Sequence, residues 1–534
     1  MRANSGSDVL NLSQAGLGVL AASAVAAMLL DLEHSHSFHT LDLSGNSLLD
    51  RGSTAIGEML SRHGGLRRLD LRSNNIGQEG GSALFKALAL NSSLTELDLG
   101  ILLGGSRNRV GLTVCKDMAQ ALEHNRSIQH LSLYGNGMGP EGAALFCEGL
   151  AGNLGLKRLD LSLNNLKDQG TVHIASALQR GAQLESLNLS QNHMSTRGAM
   201  GLSEAISSGN LFIQSLDLSS NRLGAKAAEL LGRALATNSQ LTVLMLDKNE
   251  LGAEGGKALA LGLQGGCLAT LALGSNLLDD AGVEAVARQL HGNIRLTRLD
   301  VSNNGFGDRG AGALAAMLRH NNELSTLALN DNRIGDNGGL ALAHALLSNS
   351  ALLSLTLRHN KVQDATASAL VATLMTNTSI TALDMEGNDV NFANASSIGK
   401  LVSEHARVWQ QNAAPRLRKQ LQGMRREEAM LAGKEGELAA LLAGRDGADA
   451  DAVLKRSEAA EISIYTRDKL EEIESATAEA NTSLAEGKAR LAAVLQALDA
   501  QTKVRRQQRS AKAAPVPHAH AQAHERYHEL PSAM

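Results

Sequence analysis

The sequence predicts an α/β solenoid followed by an α-helical coiled coil. Three observations carry that prediction. A Leu-x-Leu signature closed by an asparagine returns thirteen times. A stretch of Ala and Leu at helical spacing follows it, as in "AGALAAMLRHN". Beyond Asn388 this text stops, and leucines recur at 3-4 spacing instead.

The closing asparagines are Asn46, Asn74, Asn108, Asn136, Asn164, Asn192, Asn221, Asn249, Asn276, Asn304, Asn332, Asn360 and Asn388. Their spacings are 28, 34, 28, 28, 28, 29, 28, 27, 28, 28, 28 and 28 residues. A fixed period in this range marks a chain of stacked units that each bury a face against the next. "LRRLDLRSNNIGQEGGSALFKALALNSS" (Leu66 to Ser93) is one such unit. Its leucines alternate with polar residues, so one strand face is buried and the other wet. The asparagine stands where the chain leaves the strand. Its amide is placed to bond backbone groups that lack a ladder partner, giving an asparagine ladder through the stack. Gly77, Gly139, Gly224, Gly252, Gly307 and Gly335 follow it, which suggests a turn with unusual dihedrals.

This text resembles the leucine-rich repeat, in the 28-residue strand-helix form of the ribonuclease-inhibitor-like subfamily. The resemblance covers roughly residues 9 to 395. It implies a horseshoe with the parallel sheet on the concave side and helices outside. The expected organisation is a degenerate cap over 1–37, thirteen repeats over 38–395 and a cap helix with linker over 396–415. A coiled-coil hairpin over 416–510 and a histidine-rich tail over 511–534 complete it. "AGLGVLAASAVAAMLLDL" (Ala15 to Leu32) has only Arg2 as positive charge before it and acidic residues at its end. It reads as part of the first cap rather than as an export signal.

Composition narrows the function. The chain has 534 residues and net charge -4, which argues against a nucleic-acid protein driven by bulk charge. Aromatics make up only 2%, few for a carved catalytic pocket. Three separated cysteines, Cys115, Cys147 and Cys267, imply no disulfide framework and a reducing, cytoplasmic compartment. No long apolar run spans a membrane. Neither a phosphate-cradling glycine loop nor zinc-like Cys/His spacing occurs, so no cofactor or metal is expected. His518, His520, His524 and His528 in the tail are read as a weak metal binder at most. Asn91, Asn125, Asn188 and Asn377 sit in Asn-x-Ser triplets, read as chance products of the repeat.

The expected function is therefore a non-enzymatic scaffold whose partners are other proteins, with neither nucleic acid nor membrane bound. Outward strand positions form an aspartate-rich stripe that includes Asp70, Asp98 and Asp160. The stripe is read either as the repeat's solvent-facing text or as a site for a basic partner. Arg68, Arg72, Tyr134 and Arg158 join it in units two to five, and Arg and Tyr commonly carry binding energy. Units eight and nine offer a weakly apolar patch around Met245. The third unit is six residues longer than its siblings (34 against 28). Its Ile101, Leu102 and Leu103 sit in a rim loop that either meets a partner or folds back over the sheet.

Among repeat proteins of this form, the Ran GTPase-activating proteins act through polar rim residues that include an arginine. That resemblance makes Arg107 or Arg109 the counterpart here, although the acidic tail of those proteins has no match. The chain also resembles the sensor half of nucleotide-binding immune receptors without their nucleotide-binding domain. The coiled-coil seam is read as Leu417, Leu421 and Leu438 in one helix. In a second it is Leu470, Ile473, Leu484, Leu491 and Leu498. The lone Trp409 is expected to be buried in the cap helix. Repeats followed by a coiled coil resemble ciliary and centrosomal subunits, such as the leucine-rich member of the nexin-dynein regulatory complex. That resemblance implies an axonemal or centrosomal location, and a GTPase regulator is the alternative.

Overall fold

A computed structural model describes residues 8–31, 38–208, 212–409 and 411. The chain divides into one unit over Met1–Trp409 and another over Gln410–Met534. The coiled-coil seam residues and the histidine-rich tail lie outside the described residues.

Fourteen three-residue strands form one parallel sheet in strict sequence order. Thirteen belong to the repeating units, and the first, Val9–Asn11, precedes them and pairs with Thr40–Asp42. The register never slips: Leu41, Leu69, Leu97 and Leu131 stand side by side, and the series continues to Leu383. The reason is the period of two. The central leucine faces the core while its neighbours face out, so a one-residue slip would expose the whole leucine row. Helices follow the strands and pack each on the next. Leu41, Leu69, Leu97 and their equivalents up to Leu355 are buried with the helix residues Ile56, Leu84, Phe85 and Phe146, while Leu10 and Leu383 at the two ends are half-buried. Burying each such leucine contributes about 1.5–3 kcal/mol, and the total accrues along the stack.

The asparagine ladder runs through the turns. Asn192 Nδ2 donates to the Leu161, Leu189 and Ser190 carbonyls, and its Oδ1 accepts the N–H groups of Asn164 (2.9 Å) and Leu166 (3.2 Å). The ladder is interrupted at Asn136, behind the lengthened third unit, and again at Asn249: the Oδ1 of each is buried without a partner. A second row of asparagines closes the helices. Asn321 Nδ2 donates to the Leu290 and Asn293 carbonyls, and Asn349 repeats this on Leu318 and Asn321. Asn91, Asn125 and Asn377 belong to this row. These triplets are thus products of the repeat, and their asparagines do structural work in it. Their own 28-residue recurrence over Asn321, Asn349 and Asn377 was the available signal.

The helix starts correct a second expectation. Of the six glycines, Gly139, Gly224 and Gly252 are left-handed, with φ near +67°. Gly77, Gly307 and Gly335 instead have negative φ. The deciding residue lies in the preceding unit, four places after its ladder asparagine. Where that residue is Asp50, Asp168, Asp280, Asp308, Asp336 or Asp364, its carboxylate accepts the N–H at the next unit's helix start. Where it is Pro140, Thr196, Ala225 or Ala253, the next unit turns left-handed, at Lys167, Gly224, Gly252 and Asp279. The N–H then donates to the following unit's asparagine carbonyl, as Gly252 does to Asn276. Either route satisfies the exposed helix-start donor. Gly111 departs from the rule: Gln78 precedes it, yet its φ is -81°.

A last helix over 392–409 covers the final unit. Ile398 and His405 are buried against it, with His405 Nδ1 3.0 Å from the Ile380 carbonyl oxygen. Trp409, expected to be buried here, is 39% exposed. It shares the face of His405 but lies one turn farther on, where the packing surface has ended. No helix among the described residues is long and apolar enough to cross a membrane.

Candidate partner-binding face

The open sheet face is built from the residues that flank each buried leucine, and they are half-buried or exposed throughout. Its aspartates are not free anions. Asp70, Asp98 and Asp160 each accept the backbone N–H two residues on, from Arg72, Gly100 and Ser162. The stripe thus caps its own strand ends, a job its period and asparagine-like chemistry suit. Asn188 does the same for Ser190.

The charged patch of units two to five is largely paired internally. Arg72 binds Asp70 at 2.5 Å and reaches Asp98 at 3.4 Å. The Asp70 contact holds the guanidinium pKa above its usual value. Burial pushes the Asp98 carboxyl up, against the lowering effect of Gly100, Ser132 and Arg72. Burial likewise raises Asp160. Arg68 meets Glu96 at 2.6 Å, and His130 Nδ1 lies 3.8 Å from the same carboxylate. His130 and Arg68 together hold Glu96 below the usual carboxylate range against partial burial. Arg158 is the exception. It is exposed, and its guanidinium has no hydrogen bond or ion pair among the described residues.

Farther along, Met245 is exposed between half-buried Val243, Thr270 and Ala272. The face stays small and mostly uncharged at Ala328 and Thr356. Burial pushes up Asp247, reinforced by neighbouring Asp300 and Asp217. The rim loop divides its three apolar residues. Ile101 lies over Gly135, where its Cδ1 fills the space a Cβ would need. Leu102 lies over Gly45, whose Cβ position is 3.4 Å from Leu102 Cδ1. Leu103 is fully exposed. Tyr134 is half-buried, packed beside Gly100. Asp70, Arg72 and Asp98 therefore form one network and Arg68, Glu96 and His130 another beside it, while Met245 belongs to a separate patch.

The described residues hold no group of three or more His, Cys, Asp or Glu placed for a metal ion. Burial raises Cys115 and Cys147 to about 12, so both thiols stay protonated.

The leucine-rich repeat family model matches residues 66–85, 124–147, 153–175, 183–203, 209–232, 237–260, 292–315 and 320–343. These eight segments are leucine-rich repeats. No curated protein matches the chain. Among solved structures the repeats are similar to those of an internalin from Listeria monocytogenes. Identity there is 16% over 71% of this chain and 92% of that one, with a TM-score of 0.41. The TLR13–ssRNA13 complex matches at 17% over 67% of this chain and 50% of that one, TM-score 0.39. Actin-binding site 2 of leiomodin-1 matches at 23% over 26% of this chain and 79% of that one, TM-score 0.23. Across the eight matched segments the recurring leucines and asparagines account for the core and the ladder. The unpaired groups, Arg158, Met245 and Leu103, belong to this sequence.

Proposed function

We propose that the chain is a non-enzymatic scaffold that binds another protein through the open face of its repeat sheet. One observation carries this. Arg158 stands exposed and unpaired on a continuous sheet face whose neighbouring cations Arg68 and Arg72 are already satisfied. An arginine with five free donors and a flat stacking face is the kind of group that anchors an interface. Met245 adds an adaptable apolar contact farther along the same face.

The test is proximity labelling in the native cell with the whole chain and with an Arg158→Glu, Met245→Asp variant. The reading expects a defined set of labelled proteins that the variant loses while its melting temperature is unchanged. Identical labelling by both proteins would remove the sheet face from consideration.

In its finer form, the heptad seam from Leu417 to Leu498 joins a second protein, and the assembly is axonemal or centrosomal. The support is the succession of repeats and heptads in the sequence. Salt-resistant retention on axonemes or centrioles, lost on truncation after residue 415, is the expected result.

A further inference from the structure

The lengthened loop of unit three is a built surface. Leu102 donates its N–H to Ser73 Oγ at 2.8 Å, and Gly105 donates back to the Leu102 carbonyl at 2.8 Å. Arg109 donates its N–H to the Ile76 carbonyl at 2.7 Å. Ile101 and Leu102 dock on opposite neighbours, over Gly135 and Gly45. A loop tied at both flanks holds its next residue, Leu103, entirely in solvent. Ile101 and the half-buried Leu163 both reach over Gly135, so the apolar surface continues from the loop onto the rim.

The charged residues of the loop itself have one sign. Arg107 and Arg109 are exposed, and neither side chain has a hydrogen bond or ion pair among the described residues. No Asp or Glu occurs in the sequence between Asp98 and Asp117. Asp98, which ends the strand leading into the loop, and Asp70 in the strand before it are engaged by Arg72 and by backbone N–H groups. An apolar tip beside two uncommitted guanidinium groups complements an apolar site bordered by carboxylates.

We propose that this loop docks an acidic segment of a partner protein. Leu103 enters an apolar contact there, and Arg107 and Arg109 pair with Asp or Glu on either side of it. This rests on the scaffold reading above and names the chemistry of the partner.

The test is a random peptide library displayed on phage and panned on the full chain. A Leu103→Asp, Arg107→Glu, Arg109→Glu variant is panned in parallel, with a Leu103→Met variant as conservative control. None of the three side chains has an internal polar partner, so equal melting temperatures are expected. Peptides selected on the native chain and on Leu103→Met are expected to combine Asp or Glu with Leu, Ile or Phe. Their affinity is expected to fall at least about tenfold on the triple variant and to weaken with salt. Neutral or basic peptides, or acidic ones that bind the triple variant equally, overturn the proposal. So does a self-association of the native chain that the triple variant loses, because it assigns the loop to a second copy. Peptides lost only on Arg158→Glu, Met245→Asp overturn the loop and leave the sheet-face reading standing. Absence of selective peptides for either face overturns both.

Discussion

Asp308 caps a helix that is not its own. Its Oδ1 accepts the N–H of Gly335 at 2.7 Å, at the start of the next unit's helix, and that of Gly338 at 3.0 Å. The helix over Asp336–Leu346 has no side-chain cap from the residue before it. The neighbour supplies what the local sequence omits, and the dipole of the helix favours the same negative charge. Capping here is also an inter-unit contact, so it couples the stability of adjacent repeats. Asp308→Ala is expected to cost about 1 kcal/mol in denaturant unfolding. Amide exchange at Gly335 and Gly338 is expected to accelerate more than exchange within the Asp308–Leu318 helix. Loss confined to that helix would refute capping across units.

Two glycines that look alike in the sequence should respond differently to alanine. Gly252 has φ +67° with open space around its Cβ position, so alanine there meets backbone strain alone. Gly77 has φ -97°, which alanine adopts freely, but a Cβ would stand 2.7 Å from Asp50 Oδ2. Gly252→Ala is expected to cost about 1 kcal/mol in any background. Gly77→Ala should cost clearly less once Asp50→Ala is present, which a double-mutant cycle reads directly. An additive cycle would remove the carboxylate as the cause.

These cases show what was legible. The leucines and ladder asparagines announce themselves because each repeats at one fixed position and acts at that position. Asp50 and Gly77 were not legible as a pair: they are 27 residues apart, and each alone is ordinary text. The extra length of unit three was plain. Which of Ile101, Leu102 and Leu103 would face solvent was not, because Gly45 and Gly135 in other units make the room. Likewise Trp409 sits on the right helix face, and only the end of the packing surface exposes it. The paired state of Arg68 depends on Glu96, again one unit away, whereas the main partner of Arg72 is Asp70, two residues back.

The carboxylates predict a pH dependence with two opposing parts. Burial raises the Asp168 and Asp336 carboxyls, but hydrogen bonds from Ser195, Gly198, Gln363 and Thr366 outweigh it and leave both below the usual value. A depressed group binds fewer protons when folded. Its stabilisation is complete above about pH 3.9, the ordinary Asp value, and is lost as pH falls through the folded value. Asp98, Asp160 and Asp247 are raised by burial and act oppositely. Each binds its proton more readily when folded, so stability is gained as pH falls from the raised value towards the ordinary one. Asp98→Asn keeps an acceptor for the Gly100 N–H, as Asn188 does for Ser190. The melting temperature of the native chain, relative to Asp98→Asn, is expected to rise as pH is lowered from 7 towards 4. A constant difference over that range would show that burial of Asp98 carries no such cost.

The ladder should be uneven along its length. Asn192 is fully buried and joins the chains of units five and six through both ends of its amide. Replacing it by alanine strands the N–H groups of Asn164 and Leu166 and the Leu161 carbonyl, while Asn221 Nδ2 and the Leu163 N–H still reach the Leu189 and Ser190 carbonyls. Unsatisfied buried groups of that kind place the cost of Asn192→Ala at about 2–4 kcal/mol. Asn136 donates to the Leu99 carbonyl at 3.0 Å, but its Oδ1 accepts nothing. Asn136→Ala removes one donor and also one orphan acceptor, so its cost should be smaller by about 1 kcal/mol or more. Urea midpoints of the two variants, with hydrogen exchange over the flanking units, give the comparison. An equal or reversed order would mean that the asparagines act through packing volume and not through the ladder.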